Sequence, residues 1–547
     1  MRNLLFLTLW AASAFGQRPL EYFLDLRLDP AAPRYQGRVA IDVELTEERR
    51  TLALHAVGLD ISQATVAGQA AQVYSLPEDE QILLEVPQEI SPGRVRVEVE
   101  FSGSLSDRSQ EGLYRRAHQG QWYAFTMFTA IEARRAFPCF DEPRFKTPWN
   151  LVLRVPEGLI AAANTPVRAE QVFERGWKRV EFGRTAVLPT EVLAFTVGPW
   201  DVHPGPPVGA RQVPSRILAA RGTPAERVRA ALEAAPVMVA RLEEYAGLPY
   251  PWEKLDQVGL LANAFGAVEN PGLITYRSDL LFPEKTDRIA AMRGVMAHEL
   301  AHQWFGNLVT QSSWEDVWLS EGFATLLGYR TADLDLPESE RGRAIAEARR
   351  RMLVRDGTPQ SRAVRVPKSR RAEMKDVYAG EVYGKAAAIL AMLEEWLGPD
   401  TFERALRRYL REHAGRTATL ADFARALRAE SETEVAPVLE AFLNRRGSPT
   451  VSLRLDCTQA SPRLEADVTP GWTAPVCVRT PAGKQCAVIT GRGTLPLSDR
   501  SCPAWIVPNA GGRGYFHSQL DSRLIDAAPL TEAEKAASQS LPATRPR

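Results

Sequence analysis

The sequence predicts an α+β protein of several domains, with an N-terminal antiparallel β domain, a mainly helical middle domain and a small C-terminal β-sandwich. Three observations predict this class. Apolar and polar residues alternate with period two up to about residue 200, helical periodicity runs from about residue 220 to 446, and alternation returns from residue 449. At 547 residues the chain is also too long for one ordinary domain.

The N-terminal domain is predicted from its alternating segments. Along residues 22–29 apolar side chains alternate with charged ones, and residues 39–45 and 95–101 repeat the pattern. Period two with one polar face is typical of antiparallel sheet. We therefore assign residues 17–205 to a β domain.

The middle domain begins where the period changes. Thr223-Pro224-Ala225-Glu226 forms a capping box with proline at the first helical position. The helix that follows should extend to about Gly247, and we expect Pro236 to kink or break it. Mainly helical sequence continues, interrupted by a short β segment around Glu269, and the predicted domain covers residues 206–447.

The last domain is predicted over residues 448–522, where alternation resumes at Val451 and Leu453 and a turn occurs near Gly483. We expect residues 523–547 to form a disordered tail.

The charge balance argues against nucleic-acid binding, because the 67 basic residues equal the 67 acidic ones. Residues 1–16 read as a signal peptide, with Arg2 before an apolar core and small residues before Gln17. The apolar core is too short to span a bilayer, and we find no other candidate span. We predict an exported protein, periplasmic or extracellular.

Cysteine usage agrees with export. Cys457, Cys477, Cys486 and Cys502 cluster near the C-terminus, whereas Cys139 lies alone in an apolar segment. In an exported protein, four clustered cysteines predict two disulfides, with three connectivities possible. The alternative is four buried thiols.

Residues 298–302 read His-Glu-Leu-Ala-His. Residues four apart share one face of a helix, so His298 and His302 can direct two imidazole nitrogens at one metal ion. Glu299, beside the first histidine, can accept a proton from a water at that metal. Apolar neighbours indicate that this helix is buried.

A third metal ligand is predicted in the apolar segment that follows. Eighteen residues separate His302 from Glu321, which is enough to end one helix and pack a second against it. Two histidines and one glutamate leave a fourth zinc position open for water, as in catalytic sites. We predict one zinc ion bound by His298, His302 and Glu321.

With three further segments, these motifs resemble the gluzincin aminopeptidases of the aminopeptidase N type. Gly266–Asn270, Gly-Ala-Val-Glu-Asn, is similar to that family's Gly-Ala-Met-Glu-Asn exopeptidase motif. Residues 134–143 resemble its amino-domain signature, and Val382–Lys385 resembles the segment with its catalytic tyrosine. The resemblance extends from about residue 20 to about residue 521.

The resemblance implies a zinc aminopeptidase with a thermolysin-like catalytic domain. Glu299 is the general base and Tyr383 the donor to the oxyanion, although Ala386 replaces the family's usual glycine and Tyr378 is a competing choice. Leu530–Glu534 is similar to the start of a helical fourth domain, most of which this chain is then expected to lack.

The resemblance also implies the substrate, a peptide with a free N-terminus. Glu269 is expected to pair with its α-ammonium group, with Asn270 beside it. Gly266 and Ala267 are small enough for their backbone to approach the peptide, and Phe265 is a candidate wall of the first side-chain pocket. The sequence does not predict an oligomeric state.

Two positions depart from the family pattern. Thr129 stands where the family has a second amine anchor, glutamate or glutamine. Gly328 stands where a further glutamate often orients a ligand histidine, and such losses weaken metal binding or activity by about ten- to a hundredfold.

Three alternative functions remain. A thermolysin-type endopeptidase would need a catalytic histidine after the metal glutamate, but His413 and His517 lie in no motif. An epoxide hydrolase is known among the family's relatives. A non-catalytic binding protein with this fold is argued against by the intact metal and catalytic residues and favoured by Thr129 and Gly328.

Overall fold

The computed structural model describes residues 16–261, 265–337, 340–368, 371–458 and 461–538. The predicted signal peptide, apart from Gly16, lies outside these residues. Chain contacts define two compact units. Unit 1 holds the residues up to Ala240 with Pro249–Met292 and Gly415–Thr417, and unit 2 holds Arg241–Leu248, Arg293–Ala414 and the residues from Ala418 onward. This division by compactness does not follow the three predicted domains, whose boundaries stay a prediction.

Unit 1 is built from sheets, as the alternating sequence predicts. Its strands are β1 (Gln17–Arg27), β2 (Arg34–Leu45), β3 (Arg49–His55), β4 (Asp60–Val66), β5 (Gln69–Ala70), β6 (Gln72–Leu76), β7 (Gln81–Ile90), β8 (Gly93–Ser104), β9 (Gly112–His118), β10 (Gln121–Met127), β11 (Trp149–Pro156), β12 (Ile160–Ala163), β13 (Val167–Glu174), β14 (Trp177–Phe182), β15 (Phe195–Gly198), β16 (Trp200–Val208), β17 (Val213–Ala220), β18 (Leu255–Leu260), β19 (Ala267–Val268) and β20 (Leu273–Arg277).

The largest sheet of the described residues has the order β13-β14-β11-β1-β2-β8-β4-β5. It is not wholly antiparallel, because β1 pairs with β11 in parallel, with Tyr22 opposite Trp149. A parallel pair needs a long crossover, and more than a hundred residues of chain separate these strands. Alternation along each strand predicts a sheet face but not its neighbour, so the sequence could not reveal this pair.

The sheet that carries the exopeptidase-like motif has the order β16-β17-β18-β20-β19 among the described residues. Its strand β18 is parallel to both β17 and β20. Strand β19 lies at its edge and ends directly before Glu269. The core beneath contains Tyr123 and Trp200, whose rings meet edge to face with centroids 4.8 Å apart. The motif therefore begins on a supported strand rather than in a free loop.

Helices dominate the middle of the chain. They are α1 (Ala225–Ala246), α2 (Ser278–Leu281), α3 (Ile289–Ala301), α4 (Trp318–Asp333), α5 (Arg343–Asp356), α6 (Arg371–Met374), α7 (Ala386–Leu397), α8 (Pro399–His413), α9 (Leu420–Ser431) and α10 (Ala436–Leu443). A π-helical turn, Glu381–Lys385, precedes α7. Short strands β21 (Thr310–Gln311) and β22 (Thr417–Ala418) lie between them.

Pro236 does not break α1, which continues as one helix from Ala225 to Ala246. Of the predicted kink or break, the break is therefore wrong, whereas the kink stays a prediction. Proline removes one backbone hydrogen bond, whereas this helix has 22 residues, with Val228, Met238 and Leu242 buried along it. Burial of such a face supplies most of a helix's stability in a protein.

Helix α4, which carries the predicted metal ligand Glu321, is buried over nearly its whole length. Phe323 near its middle stacks on Phe305, with centroids 4.6 Å apart, and meets the edge of Phe423 at 5.2 Å. This aromatic packing fixes α4 against the chain that follows α3, and so fixes the separation of the predicted metal ligands.

The C-terminal part contains β23 (Thr450–Asp456), β24 (Arg463–Val468), β25 (Thr473–Thr480), β26 (Gly483–Thr490), β27 (Arg492–Pro496) and β28 (His517–Gln519). In the described residues they form a sheet of order β27-β24-β23-β28 and the pair β25-β26. Disulfides join Cys457 to Cys502 and Cys477 to Cys486, while Cys139 is a buried free thiol. The expectation of two disulfides is confirmed, and the structure supplies the connectivity.

Part of the predicted disordered tail is helical. It forms α11 (Ser522–Asp526) and α12 (Glu532–Ser538), and residues 539–547 lie outside the described part of the chain. Glu534 explains the order, because its buried carboxylate pairs with Arg479 at 2.5 Å and accepts from the Thr531 amide at 2.9 Å. The sequence analysis did not identify this capping interaction. None of the described helices is both long and apolar enough to cross a membrane.

Candidate metal site and catalytic residues

The three predicted metal ligands lie together in unit 2. His298 lies on α3, and His302 follows its last residue with its amide still bonded to the His298 carbonyl at 3.2 Å. The two Nε2 atoms are 3.0 Å apart, and each lies 3.3 Å from Oε2 of Glu321 in the first turn of α4. The side chains of His302 and Glu321 are 1% and 5% exposed.

This triangle of donor atoms fits a single metal ion. Zinc bonds to nitrogen and oxygen are about 2.0–2.2 Å, and a tetrahedral arrangement separates such ligands by roughly 3.3–3.6 Å. Oε2 of Glu321 is buried and faces both imidazoles, 3.3 Å from each Nε2. Burial raises the pKa of Glu321, but the charges and hydrogen bonds of the two histidines outweigh it and bring the pKa to about 2. The carboxylate is the form of this side chain that can bind a metal ion.

His302 is oriented by contacts that the sequence analysis missed. Its Nδ1 lies 3.1 Å from the Phe305 carbonyl and 3.0 Å from Oγ of Ser320. Because a carbonyl only accepts, a proton on Nδ1 leaves the Nε2 lone pair for the metal. Gly306 makes this possible, since its φ is +117° and a Cβ there would overlap the Ser320 hydroxyl.

Gly328 has a packing role at this site. A Cβ built on it would lie 3.0 Å from Cα and 3.1 Å from the amide nitrogen of His298. The absent side chain thus allows α4 to approach the backbone of α3 at the first ligand. A glutamate could not replace Gly328 without moving one helix, so the departure from the family pattern comes with closer helix packing.

The two predicted catalytic residues border the metal ligands. Glu299 is 6% exposed, and one of its carboxylate oxygens lies within 4.8 Å of a ring nitrogen of His302. The Tyr383 ring lies nearly parallel to that of His298, with centroids 6.0 Å apart. Tyr378 instead meets the edge of Trp314, with centroids 6.5 Å apart. In unit 2 the structure therefore brings Tyr383 against the predicted metal ligand His298.

The predicted substrate-binding residues lie in unit 1. Gly266 has a φ of +91°, and its carbonyl accepts from the Arg277 amide at 2.6 Å, which begins the pairing of β19 with β20. Ala267 is the first residue of β19, and Asn270 is buried just beyond it. Phe265 is 50% exposed, and its role as a pocket wall stays a prediction.

One buried side chain, Asn164, holds the segment that follows Glu269. Its Nδ2 donates to the carbonyls of Pro271 at 2.9 Å and Val192 at 3.0 Å, and its Oδ1 accepts from the Ala194 amide. Gly272 has a φ of +68°, and a Cβ there would overlap the Asn164 carbonyl. The chain after Glu269 therefore has one well-defined path.

Thr129, at the position of the family's second amine anchor, is buried in the same unit. Its hydroxyl donates to the backbone carbonyl of Glu191 at 3.2 Å. The single proton is thus directed into the protein, and the oxygen retains acceptor capacity for a cationic group.

Comparison with known proteins agrees with these motifs. The family model described as "Peptidase family M1 domain" matches residues 230–442, and "Peptidase M1 N-terminal domain" matches residues 18–192. Aminopeptidase M1-B of Oryza sativa subsp. japonica is 30% identical over 552 residues, covering 96% of this chain and 62% of the relative. Aminopeptidase M1 of Arabidopsis thaliana is 31% identical, covering 96% and 63%. Aminopeptidase A of Gloydius brevicauda is 28% identical, covering 82% and 48%. The chain thus spans less than two thirds of the length of these curated relatives.

Proposed function

Because this chain belongs to peptidase family M1, a family of metallopeptidases, we propose that it is a zinc-dependent aminopeptidase that removes N-terminal residues from peptides. The observation that carries the proposal is the buried triangle of donor atoms from His298, His302 and Glu321, 3.0–3.3 Å apart. Peptidase activity has further support from the relatives, which are named aminopeptidases.

The metal fits the site in number and type of ligand. Two imidazole nitrogens and one carboxylate would hold zinc and leave a fourth position for water or substrate. When bound, zinc supplies polarisation of the scissile carbonyl and makes a water molecule acidic near neutral pH. His302 is kept in the ligating tautomer by its Nδ1 contacts, so the protein prepares the site before the metal arrives.

Two side chains would carry out the proton transfers and oxyanion stabilisation. Glu299 is one residue from the first ligand and buried, so its carboxylate can take the proton of the attacking water and pass it to the leaving amine. The hydroxyl of Tyr383, whose ring lies along His298, can donate to the oxyanion that develops on the carbonyl. Both roles use groups that border the metal ligands.

Recognition of the free amine is assigned to Glu269. A carboxylate pairs with an α-ammonium group through charge-assisted hydrogen bonds, which are about twice as strong as neutral ones. The backbone of Gly266 and Ala267 can run along the substrate, with Phe265 directly before the motif and Asn270 at its end. We place the enzyme in an oxidising compartment, periplasmic or extracellular, since two disulfides are typical of exported proteins.

We expect the purified protein to carry one zinc ion per chain, and His302→Ala and Glu321→Ala to abolish its binding. Each variant removes one of the three donors, and the remaining two do not make a stable site. Elemental analysis after dialysis measures the zinc content. Thr325→Ala, which removes a buried hydroxyl from the same helix as Glu321, is the control that should keep its zinc. Unchanged zinc in both ligand variants would contradict the assignment.

Ser320→Ala should weaken zinc binding by about tenfold while leaving the ligand set intact. The change removes the hydroxyl 3.0 Å from Nδ1 of His302. Residues that hydrogen-bond a metal ligand without binding the metal contribute about ten- to a hundredfold to metal affinity. Competition with a chromogenic chelator gives the dissociation constant. Thr325→Ala is again the matched comparison, because its hydroxyl has no hydrogen-bond partner among the described residues. Equal affinities in the two variants would mean that Ser320 does not orient the ligand.

A further inference from the structure

The turn that carries Tyr383 has an unusual backbone. Residues Glu381–Lys385 form a π-helical turn, and Tyr383 lies at its centre. Single π-helical turns are rare and often occur at functional sites, because they displace a side chain from the position that an α-helix would give it. Such a turn requires outside contacts that favour it over the regular helix.

The first residue of the turn is held by an ion pair. Oε1 of Glu381 accepts from Nε of Arg355 at 2.6 Å. The Glu381 side chain is 2% exposed, and that of Arg355 is 41% exposed. This pair therefore joins the buried start of the turn to a partly solvated guanidinium.

The last residue of the turn is held by a second ion pair, in which the turn supplies the base, Lys385, and not the acid. Nζ of Lys385 lies 2.9 Å from Oδ2 of Asp356 and donates to the Gly447 carbonyl at 2.9 Å. Both side chains are buried, at 0% and 2% exposed. Asp356 also accepts from Tyr515 and Ser361, each at 2.8 Å, so its carboxylate is fixed in place.

The two partners are adjacent in sequence. Arg355 and Asp356 are the last two residues of α5, so both ends of the turn attach to one dipeptide. We name the pairs Arg355–Glu381 and Asp356–Lys385 the clamp. A shift of the turn by one position would place uncharged residues opposite Arg355 and the buried Asp356. Both ion pairs would then be lost, so the clamp specifies one register for Tyr383.

Stability alone does not explain the buried pair of the clamp, Asp356–Lys385. A buried ion pair is often no more stabilising than apolar residues of the same size, although removing one partner is costly. A hydroxyl that donates to a developing oxyanion must be placed accurately, since a shift of about 1 Å can cost roughly a hundredfold in rate. The clamp fixes the backbone on both sides of that hydroxyl's residue.

We propose that Arg355 and Asp356 position the catalytic Tyr383 by clamping both ends of its π-helical turn. The inference rests on the proposed peptidase function. Arg355, Asp356, Glu381 and Lys385 are positioning residues, because they act on the reaction through Tyr383. A merely structural role for the clamp would change stability but would not depend on the tyrosine hydroxyl.

The test compares Lys385→Met in the wild type and in a Tyr383→Phe background, using the full chain loaded with zinc and an amino-acyl fluorogenic substrate. In the wild type, Lys385→Met should lower kcat by about ten- to a hundredfold with KM changed less than about threefold. In the Tyr383→Phe background, the same change should lower kcat by less than about threefold, because the hydroxyl to be positioned is already gone.

Two further variants keep the test decisive. Arg349→Met is the matched control, since Arg349 lies on the same helix and is buried, but donates to the Gly514 and Phe516 carbonyls and not to the turn. It should reduce thermal stability and leave kcat within about threefold of the wild type. Arg355→Met breaks the Arg355–Glu381 pair at a partly exposed residue. If Lys385→Met does not fold, the same comparison of kcat in the two backgrounds is made with Arg355→Met.

The outcomes separate the clamp from the proposed function. Equal losses of kcat in both backgrounds, or a loss in Arg349→Met as large as in Lys385→Met, would overturn the clamp. A wild-type protein with zinc that cleaves no substrate would instead overturn the peptidase function. The clamp is supported if Lys385→Met or Arg355→Met lowers kcat in the wild type but not in the Tyr383→Phe background.

Discussion

Replacing Glu299 with glutamine is expected to abolish nearly all peptide cleavage while zinc remains bound. Glutamine keeps the size of the side chain but cannot accept the proton of the attacking water. General acid–base groups contribute about 10²–10⁴-fold to rate, and we expect a loss of kcat near the upper end because Glu299 would serve both as base and as acid. Steady-state kinetics together with elemental analysis of the same samples measures the effect.

Glu299→Asp is the informative companion variant. It keeps a carboxylate but withdraws it by about one methylene, so activity should fall less than in Glu299→Gln. Retention of full activity in Glu299→Gln would contradict the general-base role. Loss of zinc in that variant would show instead that the residue supports the metal site.

Replacing Glu269 with alanine should nearly eliminate cleavage of peptides with a free amine. The ammonium group would lose its carboxylate partner, and truncating one member of a buried charged pair costs about 2–5 kcal/mol, or about thirtyfold to several thousandfold in kcat/KM. Thr129 can accept only through a neutral hydroxyl oxygen, so it cannot supply the opposite charge that the Glu269 carboxylate would. The measurement is kcat/KM on amino-acyl substrates.

Glu253→Ala is a suitable control in the same unit, because Glu253 is exposed and pairs with an exposed arginine. It should cleave free-amine substrates at the wild-type rate. If Glu269→Ala does the same, the ammonium group is recognised by another residue, and the exopeptidase assignment of this motif is wrong.

The proximity of the predicted metal ligands could be inferred from the sequence because the spacing of the two histidines follows helix periodicity. His298 and His302 lie four residues apart, and the structure places their Nε2 atoms 3.0 Å apart. Glu321 could be predicted because a carboxylate in an apolar run needs a partner, and the structure places it 3.3 Å from both rings. Local spacing was sufficient in both cases.

The contacts that orient these residues could not be predicted. Ser320 could not be identified from the sequence as a partner of His302. Its contact with Nδ1 of His302 depends on the positive φ of Gly306, fourteen residues earlier. Asp356 and Lys385 are 29 positions apart and meet only through the packing of α5 against the turn. Side-chain pairs of this kind depend on tertiary structure, for which one sequence carries no periodic signal.

Fold class was predictable, and its exceptions have physical causes. The alternation of apolar and polar residues revealed the strands but not the parallel pairing of β1 with β11. Alternation shows which side chains share a face of a strand and does not show which strands are neighbours. Pro236 lies inside a continuous helix because burial of the helix's apolar face outweighs one lost hydrogen bond. Order in α12 depends on the pairing of Glu534 with Arg479, 55 residues away.

The central claim, a zinc-dependent aminopeptidase, is tested most directly by the products formed from one peptide in two forms. The purified protein is incubated with the peptide bearing a free amine and with its amino-acetylated form, and the products are identified by mass spectrometry. We predict stepwise loss of N-terminal residues from the free peptide, none from the acetylated one, loss of activity with a chelator and recovery with zinc. Equal cleavage of both forms, or cleavage that persists after zinc has been removed, would contradict the account.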